Sequence, residues 1–89
     1  MEKTISVHHQ HGLDITIIHA IINEAACFEA STFISYNEQF VNLKSMKNCA
    51  IFFQQPFIGE MTVVSMGCDE YYALMRMISV IERYLNAKY

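Results

Sequence analysis

The chain carries four histidines; His8, His9 and His11 crowd its first segment, and His19 stands alone further on. An imidazole nitrogen is nucleophilic near neutral pH and is also a good ligand for transition metals. The cluster therefore raises two chemistries: acceptance of a transferable group, or a small metal-binding module. Adjacent residues of a strand point to opposite faces, which separates His8 from His9 and spoils a three-ligand site. The histidines thus read as surface residues, and neither a metal nor a cofactor is expected. Cys27, Cys49 and Cys68 cannot all pair with one another, and no two stand at a CxxC spacing. They are expected to be reduced thiols acting as small buried apolar residues. Asp14 and Ser45 are of the types that accept a hydrogen bond from the open amides of a helix start, and each precedes a helical stretch.

Regular elements must hold these residues, and hydrophobic periodicity gives their order. Thr4 to His8 alternates and predicts a strand with Ile5 and Val7 on one face, closed by Gly12. After Asp14, the recurrence of Ile18, Ile21, Ile22 and Ala25 predicts an amphipathic helix from Ile15 to Phe28. Thr32 to Tyr36, a polar turn Asn37-Glu38-Gln39, and Phe40 to Leu43 predict a hairpin. Ser45 caps a short helix that starts at Met46 and must stop before Pro56. Gly59 releases the chain into a strand from Glu60 to Met66, ended by Gly67. A last helix has Asp69 and Glu70 at its start, Arg83 and Lys88 near its end, and Leu74, Met77, Ile78, Ile81 and Leu85 as its buried stripe. The string is βαββαβα. It predicts an α+β fold, a two-layer sandwich of one antiparallel sheet with helices on one side, as a single domain over 1–89.

Eighty-nine residues suffice for one core and leave little for an enclosed cleft, which favours a carrier or binding module over an enzyme. Lys and Arg number six against nine Asp and Glu, a net charge of −3, so no cationic stripe is available for phosphates and nucleic acid is not an expected partner. Hydrophobic residues make up 53% of the chain, which excludes disorder. Asp14, His19, Asn23 and Glu24 interrupt the one signal-like stretch, and no run reaches the roughly 20 apolar residues of a membrane span. A cytoplasmic protein without membrane contact is expected.

Gly12-Leu13, Tyr36-Asn37, Val41-Asn42-Leu43-Lys44-Ser45, Gly59-Glu60 and Gly67-x-Asp69-Glu70-x-x-Ala73-Leu74, in this order of elements, resemble the landmarks of HPr. HPr is the histidine phosphocarrier family of the bacterial sugar phosphotransferase system. The resemblance covers nearly the whole chain, with about one residue inserted between Gln54 and Ile58. It implies an open-faced sheet of order 1-4-2-3 with all helices on one side. It also implies where the chain departs. Family members follow the Gly-Leu pair with His-Ala-Arg-Pro, the His accepting a phosphoryl group and the Arg helping to hold it. Here the four places read Asp14-Ile15-Thr16-Ile17. A carboxylate repels an incoming phosphate and the bidentate cation is gone, so Asp14 and Thr16 mark a degenerate acceptor site, in this respect similar to Crh. The bland role of Asp14 is a helix cap; the sharper one is a permanent charge standing in for the phosphorylated state.

By the same resemblance Ser45 is a candidate regulatory phosphosite, the residue that a dedicated HPr kinase modifies in low-GC Gram-positive bacteria. The family then places Ile-Met-Gly in a docking surface, where this chain has Met46-Lys47-Asn48 and so a charge inside the patch. Laying the strands on the family pattern sends Thr32, Ile34, Tyr36, Val41, Leu43, Met61 and Val63 towards the helices. Phe33, Phe40, Val64 and Met66 then gather on the open face, an apolar patch of the kind that marks contact surfaces. The expected function is a non-enzymatic regulator or adaptor that acts by protein contact, as a homodimer or on another protein, with phosphotransferase-system components among candidate partners. The alternatives are a working phosphocarrier that uses His11, and the metal-binding module on His8, His9 and His11.

Overall fold

The computed structural model of the chain describes residues 1–86. Its elements are β1 (Glu2–His9), α1 (Ile15–Ala26), β2 (Ser31–Tyr36), β3 (Gln39–Asn42), α2 (Met46–Phe52), β4 (Phe57–Met66) and α3 (Glu70–Leu85). The strands form one antiparallel sheet in the order β1-β4-β2-β3. Helices α1 and α3 pack on each other, α3 lies against β1, β2 and β4, and α2 lies between α1 and β3.

The period of two along the strands and the three- and four-residue spacing along the helices converge on one core. Ile5, Val7, Ile34, Val41, Leu43, Met61 and Val63 meet Ile18, Ile21 and Ala25 of α1 and Leu74, Met77, Ile78, Ile81 and Leu85 of α3. Each fully buried aliphatic side chain stabilises the fold by about 1.5–3 kcal/mol relative to exposure. Across the helix layer, the Arg76 guanidinium donates to both Glu24 carboxylate oxygens at 2.8 and 3.1 Å, tying α3 to α1. That hydrogen bond, opposed by slight desolvation, holds Glu24 below the ordinary carboxylate range.

Several boundaries differ from the sequence expectation, each for a local reason. β1 gains Glu2 and Lys3 because β4 extends far enough to pair with both. α1 ends at Ala26 rather than Phe28, since Phe28 N–H turns back to the carbonyl of Ala25 and tightens the last turn. The hairpin turn is two residues, Asn37 and Glu38, at φ 50° and 65°. These angles fit the primed turn whose twist matches the flanking strands, so Gln39 joins the sheet opposite Tyr36. β4 starts at Phe57, three residues before the expected Glu60, and Gly59 lies inside it at φ 108°, opposite Val7. There β2 no longer runs alongside, and the Tyr36 hydroxyl takes its place: Ile58 N–H donates to it at 3.0 Å and it donates to the Ile58 carbonyl at 3.2 Å. Of the cysteines only Cys49 is buried, while Cys27 and Cys68 are exposed, because both of these fall at the ends of elements and not on a core stripe. Lys88, expected near the end of the last helix, lies outside the described residues.

At the end of the molecule where α1 stops, Asp69 acts as a staple. Its carboxylate accepts from Ala30 N–H at 2.8 Å and Glu29 N–H at 3.1 Å, joining the α1–β2 and β4–α3 connections. Desolvation pulls its pKa upwards, but these amides and the charge of Lys44 prevail and hold it below its ordinary value.

Two predictions follow from these turns. Glu38→Gly removes an L-residue from the left-handed region and should stabilise the fold by about 1 kcal/mol, read as a Tm rise of roughly 4–8 °C. Asp69 has a depressed folded pKa, so its contribution is complete above the unfolded value near 3.8 and disappears as pH falls through the folded one. The Tm gap between wild type and Asp69→Asn should therefore be widest near neutral pH and close in acid.

Candidate functional site at the start of α1

The loop between β1 and α1 is fixed from below by the end of α2. Leu13 N–H donates to the Phe53 carbonyl at 2.8 Å, and Leu13 itself is buried. Gly12 lies so close to Gln54 that a Cβ would strike the backbone carbonyl of Gln54, so this place admits no side chain. Beneath, Tyr36, Phe52, Phe53 and Phe57 pack edge-on or tilted with ring centroids 5.0–6.4 Å apart. This aromatic block is what gives the loop one position.

From that anchor the chain enters α1 through Asp14, in extended geometry at φ −79°, ψ 166°. Its Oδ1 accepts the Ile17 N–H at 3.1 Å. A helix N-terminus carries about half a positive charge and open amide donors, and here a fixed carboxylate uses both. Ile15 and Thr16 of the first turn are exposed. The two arginines of the chain are both on α3, and Arg76 is held by Glu24. No guanidinium therefore stands beside Asp14.

The histidines do not gather at this point. His11 is exposed in the bend three residues before Asp14, and no hydrogen bond among the described residues orients its ring. His8 and His9 end β1, His8 exposed and His9 half-buried, and His19 is exposed on α1. Among the described residues no group of three His, Cys, Asp or Glu side chains could hold a metal ion. Burial pushes the Cys49 thiol up to about 11, which keeps it protonated and unreactive near neutral pH.

Ser45 stands at the start of α2, its Oγ accepting the Asn48 N–H at 3.4 Å and its own N–H donating to the Asn42 carbonyl at 3.0 Å. Met46 beside it is half-buried and Lys47 is exposed. On the far side of the sheet, Phe33 and Phe40 stack with centroids 5.0 Å apart and planes 14° apart. Val64 is the register partner of Phe33, and Met66 that of Ser31. Phe40 and Met66 are 64% and 54% exposed, so the four residues do share the uncovered face. One apolar residue near the site escaped the sequence reading: Ile51, 69% exposed on α2. Cys49, Phe52 and Phe53 point inward, and at 100° per residue Ile51 had to point away from them, a signal present in the spacing.

A four-stranded sheet of order 1-4-2-3, three helices on one side and a loop held over the start of the first helix is an arrangement already known in solved structures. The fold is that of HPr. The chain is similar to the histidine-containing phosphocarrier protein of Mycoplasma, with a TM-score of 0.78 and 22% identity over 92% of each chain. It is similar to HPr of Thermoanaerobacter tengcongensis, with a TM-score of 0.79 and 19% identity over 100% of this chain and 99% of that one. It is also similar to Crh of Bacillus subtilis, a swapped dimer, with a TM-score of 0.71 and 22% identity over 91% and 92%. No protein-family model matches the chain, and no curated protein does.

Within the HPr fold the loop's tightness is testable. Gly12→Ala forces the Gln54 backbone to retreat and should cost about 1–3 kcal/mol, measured by urea denaturation.

Proposed function

We propose that this HPr-like chain has lost phosphohistidine transfer and works as a regulatory or adaptor protein through protein contact, without catalysing a reaction itself. One observation carries the reading. The first turn of α1 is capped by its own carboxylate, Asp14, at 3.1 Å from Ile17 N, with no cation alongside. A phosphoryl group arriving there would meet a negative charge instead of a nucleophilic ring. The open-face patch of Phe33, Phe40, Val64 and Met66 supports contact as the alternative use of the fold. Ser45 remains a candidate for regulation by an HPr kinase, since a phosphate at a helix start is electrostatically compatible with the amides there. Lys47, exposed next to it, would oppose docking of partners that expect an apolar residue. No described helix is long and apolar enough to cross a membrane, and a cytoplasmic location fits the reading.

Incubation with enzyme I and phosphoenolpyruvate, followed by mass analysis, tests this. The expected outcome is no acid-labile phosphate. A phosphohistidine mapped to His11 would replace the reading with that of a working carrier. Acid-stable phosphate on Ser45 after treatment with HPr kinase and ATP would support regulation at that residue.

A further inference from the structure

A strand at the edge of a sheet carries a row of backbone groups that no neighbouring strand satisfies, and another chain can pair with them. The edges here are β1 and β3. β3 is four residues long, and the Asn42 carbonyl at its end is taken by Ser45 N–H and the Cys49 thiol. So short an edge offers little to a partner. β1 is eight residues long and is the larger exposure. Glu2 and Lys3 put charge at one end of it, and His8 and His9 put ionisable rings at the other. Between them Thr4-Ile5-Ser6-Val7 is uncharged and rich in β-branched residues, the composition that strand pairing favours.

Antiparallel pairing aims the backbone groups of alternate residues at the partner strand and leaves those in between facing outward. On β1 the outward set includes the Ser6 carbonyl and His8 N–H, which flank Val7, and one side chain meets both. His8 N–H donates to Asn86 Oδ1 at 3.1 Å, and Asn86 Nδ2 donates to the Ser6 carbonyl at 3.1 Å. A carboxamide offers a donor and an acceptor side by side, as a peptide group does, so Asn86 pairs with β1 in the manner of one residue of an added strand. The end of α3 does not need this side chain. Asn86 N–H closes the last turn by donating to the Glu82 carbonyl at 3.0 Å, and Leu85 before it is buried in the core. The carboxamide is thus carried to the sheet edge on a rigid helix.

We propose that Asn86 is a latch that closes the β1 edge, occupying the outward backbone groups of its uncharged stretch so that a strand of a second molecule does not add there. Charge protects the two ends of β1, and the carboxamide protects the part between them. One motion opens the edge. When the last turn of α3 frays, Asn86 withdraws and frees the Ser6 carbonyl and His8 N–H together, so access to β1 is governed by the end of a helix on the other layer. This device goes beyond the proposed function and holds whether or not the chain transfers phosphate.

Amide hydrogen exchange and sedimentation velocity on the full chain test it, with circular dichroism to verify that each variant is folded. Asn86→Ala should speed exchange at His8 by roughly five- to tenfold, the effect of one hydrogen bond, and leave Val7, paired with Gly59 inside the sheet, unchanged. The same variant should self-associate at a several-fold lower concentration than wild type. Adding Ser6→Lys, which places a charge on the opened edge opposite Glu60, should reverse that association. Exchange at His8 that ignores Asn86→Ala would overturn the latch. Faster exchange without stronger association would overturn its role in keeping strands away. Association that survives Ser6→Lys would run through another surface and would overturn that role as well.

Discussion

The close approach of Gly12 to Gln54, locked by the Leu13 N–H to Phe53 carbonyl bond, is the constraint on which the candidate site depends. It fixes where β1 hands over to α1, and so where the open amides of the first helical turn face solvent. Whatever residue follows Leu13 is then aimed at those amides. Here the carboxylate of Asp14 takes them from within the chain, accepting the Ile17 N–H. What faces those amides is thus set by one side chain on a fixed backbone.

The same block of rings that holds the loop also explains the irregular start of β4. Phe52, Phe53 and Phe57 bury completely or nearly so, and Tyr36 joins them with its ring while its hydroxyl reaches Ile58. A strand end without a sheet neighbour would leave backbone groups unpaired, and one phenol satisfies both a donor and an acceptor. Gly59, at a φ that L-residues avoid, lets the strand pass this point. The core therefore does more than exclude water; at this end it supplies the hydrogen bonds that the sheet lacks.

Elements with strong periodicity were legible in the sequence. The stripes Ile18-Ile21-Ala25 and Leu74-Met77-Ile78-Ile81-Leu85 defined both long helices, and alternation placed Ile5 and Val7 inward, while the inward residues of the other strands and the order 1-4-2-3 came from the resemblance. What was not legible depended on tertiary partners. The three early residues of β4 are broken up by Gly59 and become strand only because Tyr36 and β1 satisfy them. Cys27 and Cys68 are small and apolar in type, yet their burial is decided by where loops end. At the site, the caps Asp14 and Ser45 could be read from type and position, because capping is a local interaction within three residues. The separation of His8 from His9 followed from the strand period, and the outward aim of Ile51 was present in the helical spacing although the sequence reading passed over it.

The positive charge of the chain gives an independent reason why α1 begins with a carboxylate alone. An anion-transfer site needs a cation close at hand, and both arginines of the chain lie on α3, near Glu24 and not Asp14. Arg76 is held by both oxygens of Glu24, and Arg83 lies near enough to Glu24 to lower its pKa as well. The Lys44 ammonium donates to the Phe28 carbonyl at 2.6 Å, at the opposite end of α1 from Asp14. Lys3 is on β1, opposite Val63, and Lys47 on α2. An imidazole placed at position 14 would therefore have no guanidinium beside it among the described residues. Asp14 is matched to its surroundings: the amides of the first helical turn, and not an arginine, face its carboxylate.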